Sequence, residues 1–313
     1  MFNFLYSFEE TYNTQALCSI ISLLDQSKEK INIFILHDKP ESFEKYEKLI
    51  LDQKNLNSLT IYKFNEDDID FPTNFKNSHL NVNAIYYRLF IEDYLPKNID
   101  FILYVDADAY FIKDYSYKLN NEIAKLKKAQ TVISAQTGID VDEGGNRLNL
   151  ESGKYLNSGI LLINYQLWIK NNCTSHFSRM LNEREVDFEW HDQDILSIFF
   201  DGNYEELDES LNFNIYGKQR LDSDLYEKIE NKGIIVHYSG KFKPWSPKGV
   251  FAADSAYYYK IYRKLFENKY HIVNAWTPNT LRILLKNILN LKIFKLEYPF
   301  EYLKAVIASL FKN

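Results

Sequence analysis

Apolar residues in the first 135 positions follow two alternating rhythms. Short continuous runs at Phe2–Tyr6, Ile31–Leu36, Leu59–Phe64, Ile99–Val105 and Thr131–Ala135 have the length of strands buried on both faces. Patterns of helical period stand between them. These are Leu17, Ile20, Ile21 and Leu24; an amphipathic stretch from Glu41 to Leu51; Asn81 to Tyr94, with Pro96 beyond its end; and Lys118 to Lys127. This alternation predicts crossover connections and an α/β fold with a mostly parallel, doubly wound, Rossmann-like sheet. Ligands of such sheets collect beyond the carboxyl ends of the strands, which places the residues after Tyr6, Val105 and Ala135 around one crevice.

The middle of the chain is less regular. Ile160–Ile163 reads as a strand, Gln166–Leu181 and Asp192–Phe200 as helices, and Ile234–Val236 as a late strand. Beyond Val250 only helical patterns remain, so residues 1–250 form the α/β unit and 251–313 a helical C-terminal extension.

Charge changes this picture in one place. The 313 residues carry a net charge of −6, which argues against nucleic acid as a partner. Asn279–Asn313 instead holds six basic residues (Arg282, Lys286, Lys292, Lys295, Lys304, Lys312) and two acidic ones, a local +4 that leaves −10 elsewhere. Its apolar residues recur on one helical face: Leu281, Leu284, Leu285, Ile288 and Leu289, then Leu303, Val306, Ile307, Leu310 and Phe311. Two readings fit: a helical tail packed on the domain, or a basic amphipathic surface in peripheral contact with an anionic membrane that carries the acceptor. No stretch approaches the ~20 apolar residues of a membrane span. Met1–Phe8 shows no basic leader or cleavage site. Cys18 and Cys173 are widely separated and flanked by apolar residues, as buried reduced thiols are. The expected location is the cytoplasm, at the inner face of the membrane if the tail binds it.

The strongest chemical signal is Phe101-Ile-Leu-Tyr-Val-Asp106-Ala-Asp108. A buried strand here delivers two carboxylates to the sheet edge, where hard divalent cations find oxygen ligands and a diphosphate supplies the rest. A second is Ile234-Ile-Val-His237-Tyr-Ser-Gly240-Lys-Phe-Lys243-Pro-Trp245, in which an imidazole after a strand suits a third metal ligand. Gly240 permits a close turn there, and Lys243 can neutralise phosphate. Lys154-Tyr-Leu-Asn157-Ser-Gly159 is a polar turn before a strand, and its Asn157 amide suits sugar hydroxyls or plain turn chemistry. In Trp190-His191-Asp192-Gln193-Asp194, the acidic residues either cap the helix from Asp192 or reach into a pocket.

Together, hydrophobic-Asp-x-Asp, Asn-Ser-Gly before an apolar strand, His-Asp-Gln-Asp and His-Tyr-Ser-Gly-x-x-Lys-Pro-Trp resemble, in order and spacing, retaining glycosyltransferase family 8 over residues 1–250. The resemblance implies a GT-A type fold, with residues 1–250 as the catalytic domain that binds a nucleotide-sugar. It implies Asp106, Asp108 and His237 as ligands of Mn²⁺ or Mg²⁺, and Gly240 and Lys243 at the diphosphate. Asn157, Asp192 and Gln193 would hold the donor sugar, with Gln193 nearest the anomeric carbon. Ala107 lies between the aspartates in the donor site, and Arg88 of Tyr86-Tyr87-Arg88-Leu89 matches an arginine that approaches the donor. Ser7-Phe-Glu9-Glu10-Thr11-Tyr12 is similar to the family's uridine-binding Asp-x-Asn-Tyr turn, with Glu9 or Glu10 where Asp is usual and Tyr12 placed to stack on uracil. Gln136 stands where an acidic sugar ligand is common.

The implied reaction moves glucose or galactose from UDP-glucose or UDP-galactose to a hydroxyl of a glycan, lipid-linked glycan or glycoprotein, retaining the α configuration. Gln193 is a poor nucleophile, so front-face attack is expected over double displacement. Two other readings compete with the transferase. A metal-dependent phosphohydrolase would use Asp106 as nucleophile, and a binding protein would hold the donor without turnover.

Overall fold

The computed structural model describes residues 1–67, 69, 83–138, 141–183, 188–216, 224–240, 242–273 and 276–311. The apolar runs form the strands β1 (Phe2–Phe8), β2 (Ile31–His37), β3 (Leu56–Lys63) and β4 (Phe101–Val105), followed by β5 (Ala109–Phe111), β6 (Ile133–Thr137) and β7 (Leu156–Asn164). Two-residue β8 (Glu205–Glu206) and β9 (Phe213–Asn214) precede β10 (Ile235–His237). Seven strands make one sheet in the order β3-β2-β1-β4-β7-β6-β8. The β1–β2, β2–β3, β1–β4 and β6–β8 pairs run parallel, whereas β7 runs antiparallel to both β4 and β6. The sheet is thus mixed but mostly parallel, as the alternation predicts.

Successive residues of the central strands point into two apolar layers. Phe4, Tyr6, Ile33, Ile35, Leu103, Val105, Ile160 and Leu162 belong to one; Leu5, Phe34, Leu36, Ile102, Tyr104, Leu161 and Ile163 belong to the other. Coverage on both faces explains why these strands read as continuous apolar runs rather than alternating ones. The first layer is closed by α1 (Asn13–Gln26), α2 (Glu44–Leu51) and α4 (Ser116–Ala129); the second by α3 (Ile91–Tyr94), α6 (Tyr165–Lys170), α7 (Cys173–Glu183) and α8 (Asp192–Phe200). Cys18 and Cys173 are free, buried thiols in opposite layers.

Several boundaries differ from the periodic pattern. The helix expected over 81–94 is two 3-10 turns, Asn83–Ile85 and Tyr87–Phe90, ending in the short α3; residues 81–82 lie outside the described residues. Tyr86 to Ile91 are all buried in this stretch. The helix expected over 166–181 divides into α6 and α7 at Asn171-Asn172, where Asn172 takes a left-handed φ of 51°. The strand at Ile160–Ile163 extends to Leu156–Asn164, so Asn157-Ser158-Gly159 lies within β7 rather than in a turn before it.

The remaining helices, α5 (Val141–Arg147), α9 (Leu225–Lys232), α10 (Ser255–Leu265), α11 (Pro278–Leu289) and α12 (Pro299–Leu310), include the all-helical C-terminal stretch. Tyr258, Tyr259, Leu284, Tyr302 and Val306 of that stretch join the same apolar layer as α1.

Candidate active site

β4 ends at Val105, and the chain turns at once: Ala109 N–H donates to Asp106 O at 3.0 Å. The turn carries Asp106-Ala107-Asp108 from the large sheet into β5 of a second, three-stranded sheet ordered β5-β10-β9. β10 runs antiparallel to β5 with His237 opposite Ala109, so the imidazole arrives beside the aspartates. β7, antiparallel to β4, brings its own first residues to the same end of the sheet, where Asp106 N–H donates to Gly159 O at 2.9 Å. One carboxylate oxygen from each aspartate and one nitrogen of His237 lie within 4.8 Å of one another.

The orientation of each of these side chains is fixed by a partner behind it. Asp106 Oδ1 accepts from Arg88 Nη2 at 2.8 Å and from the Tyr104 hydroxyl at 2.6 Å, which leaves Oδ2 facing His237 Nε2 at 3.8 Å. His237 is set by a chain that starts at a backbone donor. Gly159 N–H donates to Asn157 Oδ1 at 3.2 Å, and that oxygen also accepts Asn212 Nδ2–H at 2.9 Å. Asn212 Oδ1 is therefore the atom 3.0 Å from His237 Nδ1, and it can only accept. Nδ1 therefore carries a proton, so the lone pair of a neutral imidazole is the one on Nε2, on the side of the carboxylates. Asp108 Oδ1, 3.3 Å from Nε2, is buried without a hydrogen-bond partner. Two carboxylates and an imidazole converge on one point, a set that fits a divalent cation.

Lys243 Nζ donates to Asp108 Oδ2 and to Tyr238 O. Burial alone would push the Asp108 carboxyl up, but the Lys243 ammonium beside it holds it well below the ordinary range. Arg88 is buried across from it, ion-paired to Asp106 and, through Nε at 3.3 Å, to Asp192; its guanidinium lies 4.1 Å over the Tyr104 ring. Burial raises the Asp192 carboxyl to about 6, with the Arg88 charge opposing and the Asp106 charge adding.

Room for the ligands depends on one missing methyl group. A Cβ on Gly159 would stand 2.1 Å from His237 Cε1 and 2.9 Å from Asp106 Oδ2. Gly240 is needed for a different reason: its φ is +75°, and nothing crowds it.

Two cavities meet at the aspartate turn, and Asp106 and Asp108 line both. The smaller, about 200 Å³, is bounded by Ser7, Glu9, Tyr12, Arg88, Ala107 and His191. Partial burial pushes the Glu9 carboxyl up, opposed by the Thr11 hydroxyl that donates to it at 2.6 Å. The larger, about 310 Å³, is bounded by Tyr155, Asn157, Trp190, Gln193, Tyr216, Gly240 and Lys243. Gln193 Oε1 accepts from Ser158 N–H at 3.2 Å.

Thus Glu9, Tyr12, Arg88 and Ala107 line one lobe, Asn157, Gln193, Gly240 and Lys243 the other, and the Asp106, Asp108 and His237 triad expected from the sequence stands between them, with His237 on the wall of the larger. Asp192 lines neither; it is buried behind the site against Arg88. Gln136 is held by Asn214, whose Nδ2 donates to its side-chain oxygen at 2.7 Å. Tyr104 and Asn212 escaped the sequence reading. Tyr104 looks like any strand aromatic, and Asn212 sits in a segment with no periodic signal.

Comparison with known proteins bears on the family and the fold. The family model described as Glycosyl transferase family 8 matches residues 3–249. A lipopolysaccharide 1,2-glucosyltransferase of Escherichia coli is 29% identical over 270 residues, spanning 83% of this chain and 78% of that protein. A lipopolysaccharide 1,3-galactosyltransferase of Salmonella typhimurium is 24% identical over 316 residues, spanning 97% and 90%. Among solved structures, the galactosyltransferase LgtC in complex with donor and acceptor sugar analogs superposes with a TM-score of 0.67 at 19% identity, over 90% of this chain and 99% of that one. At that identity the likeness establishes the fold, which is of the GT-A type.

Proposed function

The chain belongs to glycosyltransferase family 8, and we propose that it moves glucose or galactose from a UDP-sugar to an acceptor hydroxyl with retention of the α configuration. The observation that carries the proposal is the hydrogen-bond chain from Gly159 N–H through Asn157 and Asn212 to His237, which leaves three electron-pair donors facing one point. Asp106, Asp108 and His237 would hold a divalent cation there, Mn²⁺ or Mg²⁺. When bound, that cation neutralises the diphosphate of the donor and so favours departure of UDP.

The protein's own groups have distinct tasks. Glu9 and Tyr12 line the lobe assigned to the nucleoside, and Arg88 fixes Asp106 from behind. Lys243 keeps an ammonium at the junction of the lobes, where charge develops on the leaving phosphate. Gly240 lets the backbone approach the same place. Trp190, Tyr155 and Tyr216 give the larger lobe aromatic walls suited to sugar faces, with Asn157 and Gln193 among them as amide groups for hydroxyls. Asp192 acts through Arg88 rather than by touching the sugar.

Among the described residues, the only carboxylates lining the larger lobe are Asp106 and Asp108. Gln193 is a poor nucleophile, so double displacement lacks a convincing partner. Front-face substitution fits better: the acceptor oxygen bonds to C1 on the face from which the phosphate oxygen leaves, and the acceptor proton passes to that oxygen. Trapping a glycosyl adduct on Gln193 or Asp192 by mass spectrometry would overturn this assignment.

The names of the bacterial relatives support a cell-surface glycan or lipid-linked glycan as acceptor. The match over 3–249 supports residues 1–250 as the catalytic unit and 251–313 as its appendage. Two buried, unpaired cysteines suit a reducing compartment, the cytoplasm.

The deciding experiment measures UDP release from a panel of UDP-sugars with Mn²⁺, for the wild type and Asp108→Ala. Release from UDP-glucose or UDP-galactose is expected, with a loss of about 100-fold or more in the variant. Full activity in the variant would remove the metal assignment, and no release from any UDP-sugar would remove the donor assignment.

A further inference from the structure

β1 carries a buried hydroxyl close to the aspartate turn. Ser7 lies between Tyr6 and Phe8 at the carboxyl end of the strand and is 7% exposed. Leu5 pairs with Tyr104 in the parallel β1–β4 ladder, and side chains alternate along a strand. Ser7 therefore stands on the same face as Tyr104, one step nearer the site. The Tyr104 side chain is fully buried, and its hydroxyl joins two groups. It lies 3.0 Å from Ser7 Oγ, and it donates to Asp106 Oδ1 at 2.6 Å.

Counting protons sets the sense of this chain. A phenol has one proton, and Tyr104 spends it on Asp106. Ser7 is therefore the donor in its contact with Tyr104, and its oxygen keeps only lone pairs for anything else. Ser7 also lines the smaller lobe, beside Glu9, Tyr12 and Ala107. A group that meets it from the lobe must donate, so an O–H or N–H suits it and a carbonyl or phosphate oxygen does not. At the far end, Asp106 Oδ1 is taken by Tyr104 and by Arg88 Nη2 at 2.8 Å, which leaves Oδ2 for a cation. A ligand donor on Ser7 would hold its hydroxyl in this sense, and hydrogen bonds that run in one direction strengthen one another.

We propose that Ser7 and Tyr104 form a relay through which a nucleoside in the smaller lobe raises the affinity of Asp106 and its partners for a divalent cation. Tyr104 is a positioning residue: it holds Asp106 with Oδ2 outward and acts on the cation only through that carboxylate. The relay rests on the assignment of the smaller lobe to the nucleoside and of Asp106, Asp108 and His237 to the cation. It adds that the two are coupled through the protein as well as through the diphosphate that joins them. By reciprocity, the cation raises the affinity for the nucleoside by the same factor.

Uridine separates the two routes, because it has no phosphate to offer the cation. Mn²⁺ affinity is measured by electron paramagnetic resonance, with and without saturating uridine, for the full chain and for Ser7→Ala, Ser7→Thr and Tyr104→Phe. Thermal unfolding checks that each variant folds. Uridine is expected to tighten Mn²⁺ binding about fivefold in the wild type, the low end of couplings between sites. Ser7→Ala should bind Mn²⁺ alone as the wild type does and lose the uridine effect, whereas Ser7→Thr, which keeps the hydroxyl, should retain it. Tyr104→Phe should weaken binding of Mn²⁺ alone about tenfold and show no uridine effect. A merely structural loss would weaken Mn²⁺ binding without removing its response to uridine. Three analogues, 2′-deoxyuridine, 3′-deoxyuridine and 3-methyluridine, each lack one donor, and the one without the donor that meets Ser7 should leave Mn²⁺ affinity unchanged. No binding of Mn²⁺ or of uridine by the wild type would overturn the site assignment and the relay with it. Mn²⁺ binding that uridine does not tighten, an effect that survives Ser7→Ala or Tyr104→Phe, or one that persists with all three analogues would overturn the relay alone.

Discussion

Replacing Gly159 by alanine probes the site at its tightest point. The added Cβ would stand 2.1 Å from His237 Cε1, 2.8 Å from Nε2 and 2.9 Å from Asp106 Oδ2. Carbon atoms in contact settle at about 3.5 Å, so the ring must retreat by roughly 1.4 Å. Behind it stands Asn212, fully buried and 3.0 Å from Nδ1, and both strands are pinned by their ladders. The imidazole therefore leaves its position rather than compressing what supports it. A displacement near 1 Å at a reacting centre costs about 100-fold, equal to about 2.7 kcal/mol in kcat/KM. The strain itself should cost about 1–3 kcal/mol of stability, a modest fall in Tm. Mn²⁺ titration followed by electron paramagnetic resonance, beside UDP release and thermal unfolding, separates the two effects. The expected result is a folded protein whose Mn²⁺ affinity falls about 10- to 100-fold. A folded Gly159→Ala variant with unchanged Mn²⁺ affinity and turnover would refute the assignment of His237 and Asp106 to one cation.

Asn212→Ala removes the acceptor that fixes the His237 tautomer and should cost about 10- to 100-fold in Mn²⁺ affinity, whereas Asn212→Asp, which still accepts from Nδ1–H, should retain more of it. Equal losses in the two variants, read by the same titration, would count against the tautomer argument. Lys243→Met removes the ammonium beside Asp108 and should lower kcat/KM for the UDP-sugar by about 100- to 1000-fold. An effect on acceptor KM alone would move Lys243 out of the diphosphate region. Asp114 opens α4 by accepting Ser116 N–H at 2.9 Å and pairs with Lys28 at 2.7 Å, contacts that hold its carboxyl down to about 2 from an ordinary 3.8. A depressed carboxyl stabilises above its unfolded value and loses that contribution as pH falls through the folded one. The wild type should therefore melt about 1–2 °C above Asp114→Asn at neutral pH, a small gap because the pair is screened, and the gap should close between roughly pH 4 and 2. A gap independent of pH would assign the effect to geometry rather than charge.

Much of the frame is legible in local pattern, because hydrophobic runs report burial and burial is a local property of each residue. The first four strands, α1 and the place of Asp106 and Asp108 at the end of β4 follow from it. So does α8, whose observed range Asp192–Phe200 is the one its pattern gives. The direction of β7 does not follow: a run buried on both faces looks the same whether it lies parallel or antiparallel to its neighbours. Nor does β5, whose three residues are too few to show a period. Yet those two elements assemble the site. β7 turns Asn157 and Gly159 toward the aspartates, β5 brings β10 and His237 to Asp108, and Asn212 then meets His237 from β9's approach.

The sequence by itself determined which residue types are candidates for metal, diphosphate and sugar, and that a sheet edge presents the first of them. Only the tertiary structure decided which atoms face one another, which imidazole nitrogen is free, and that Asp192 is buried behind Arg88 rather than on the wall of the sugar-side lobe. The physical reason is that strand pairing and side-chain hydrogen bonds join residues far apart in the chain, and no local period records a partner that lies outside its window.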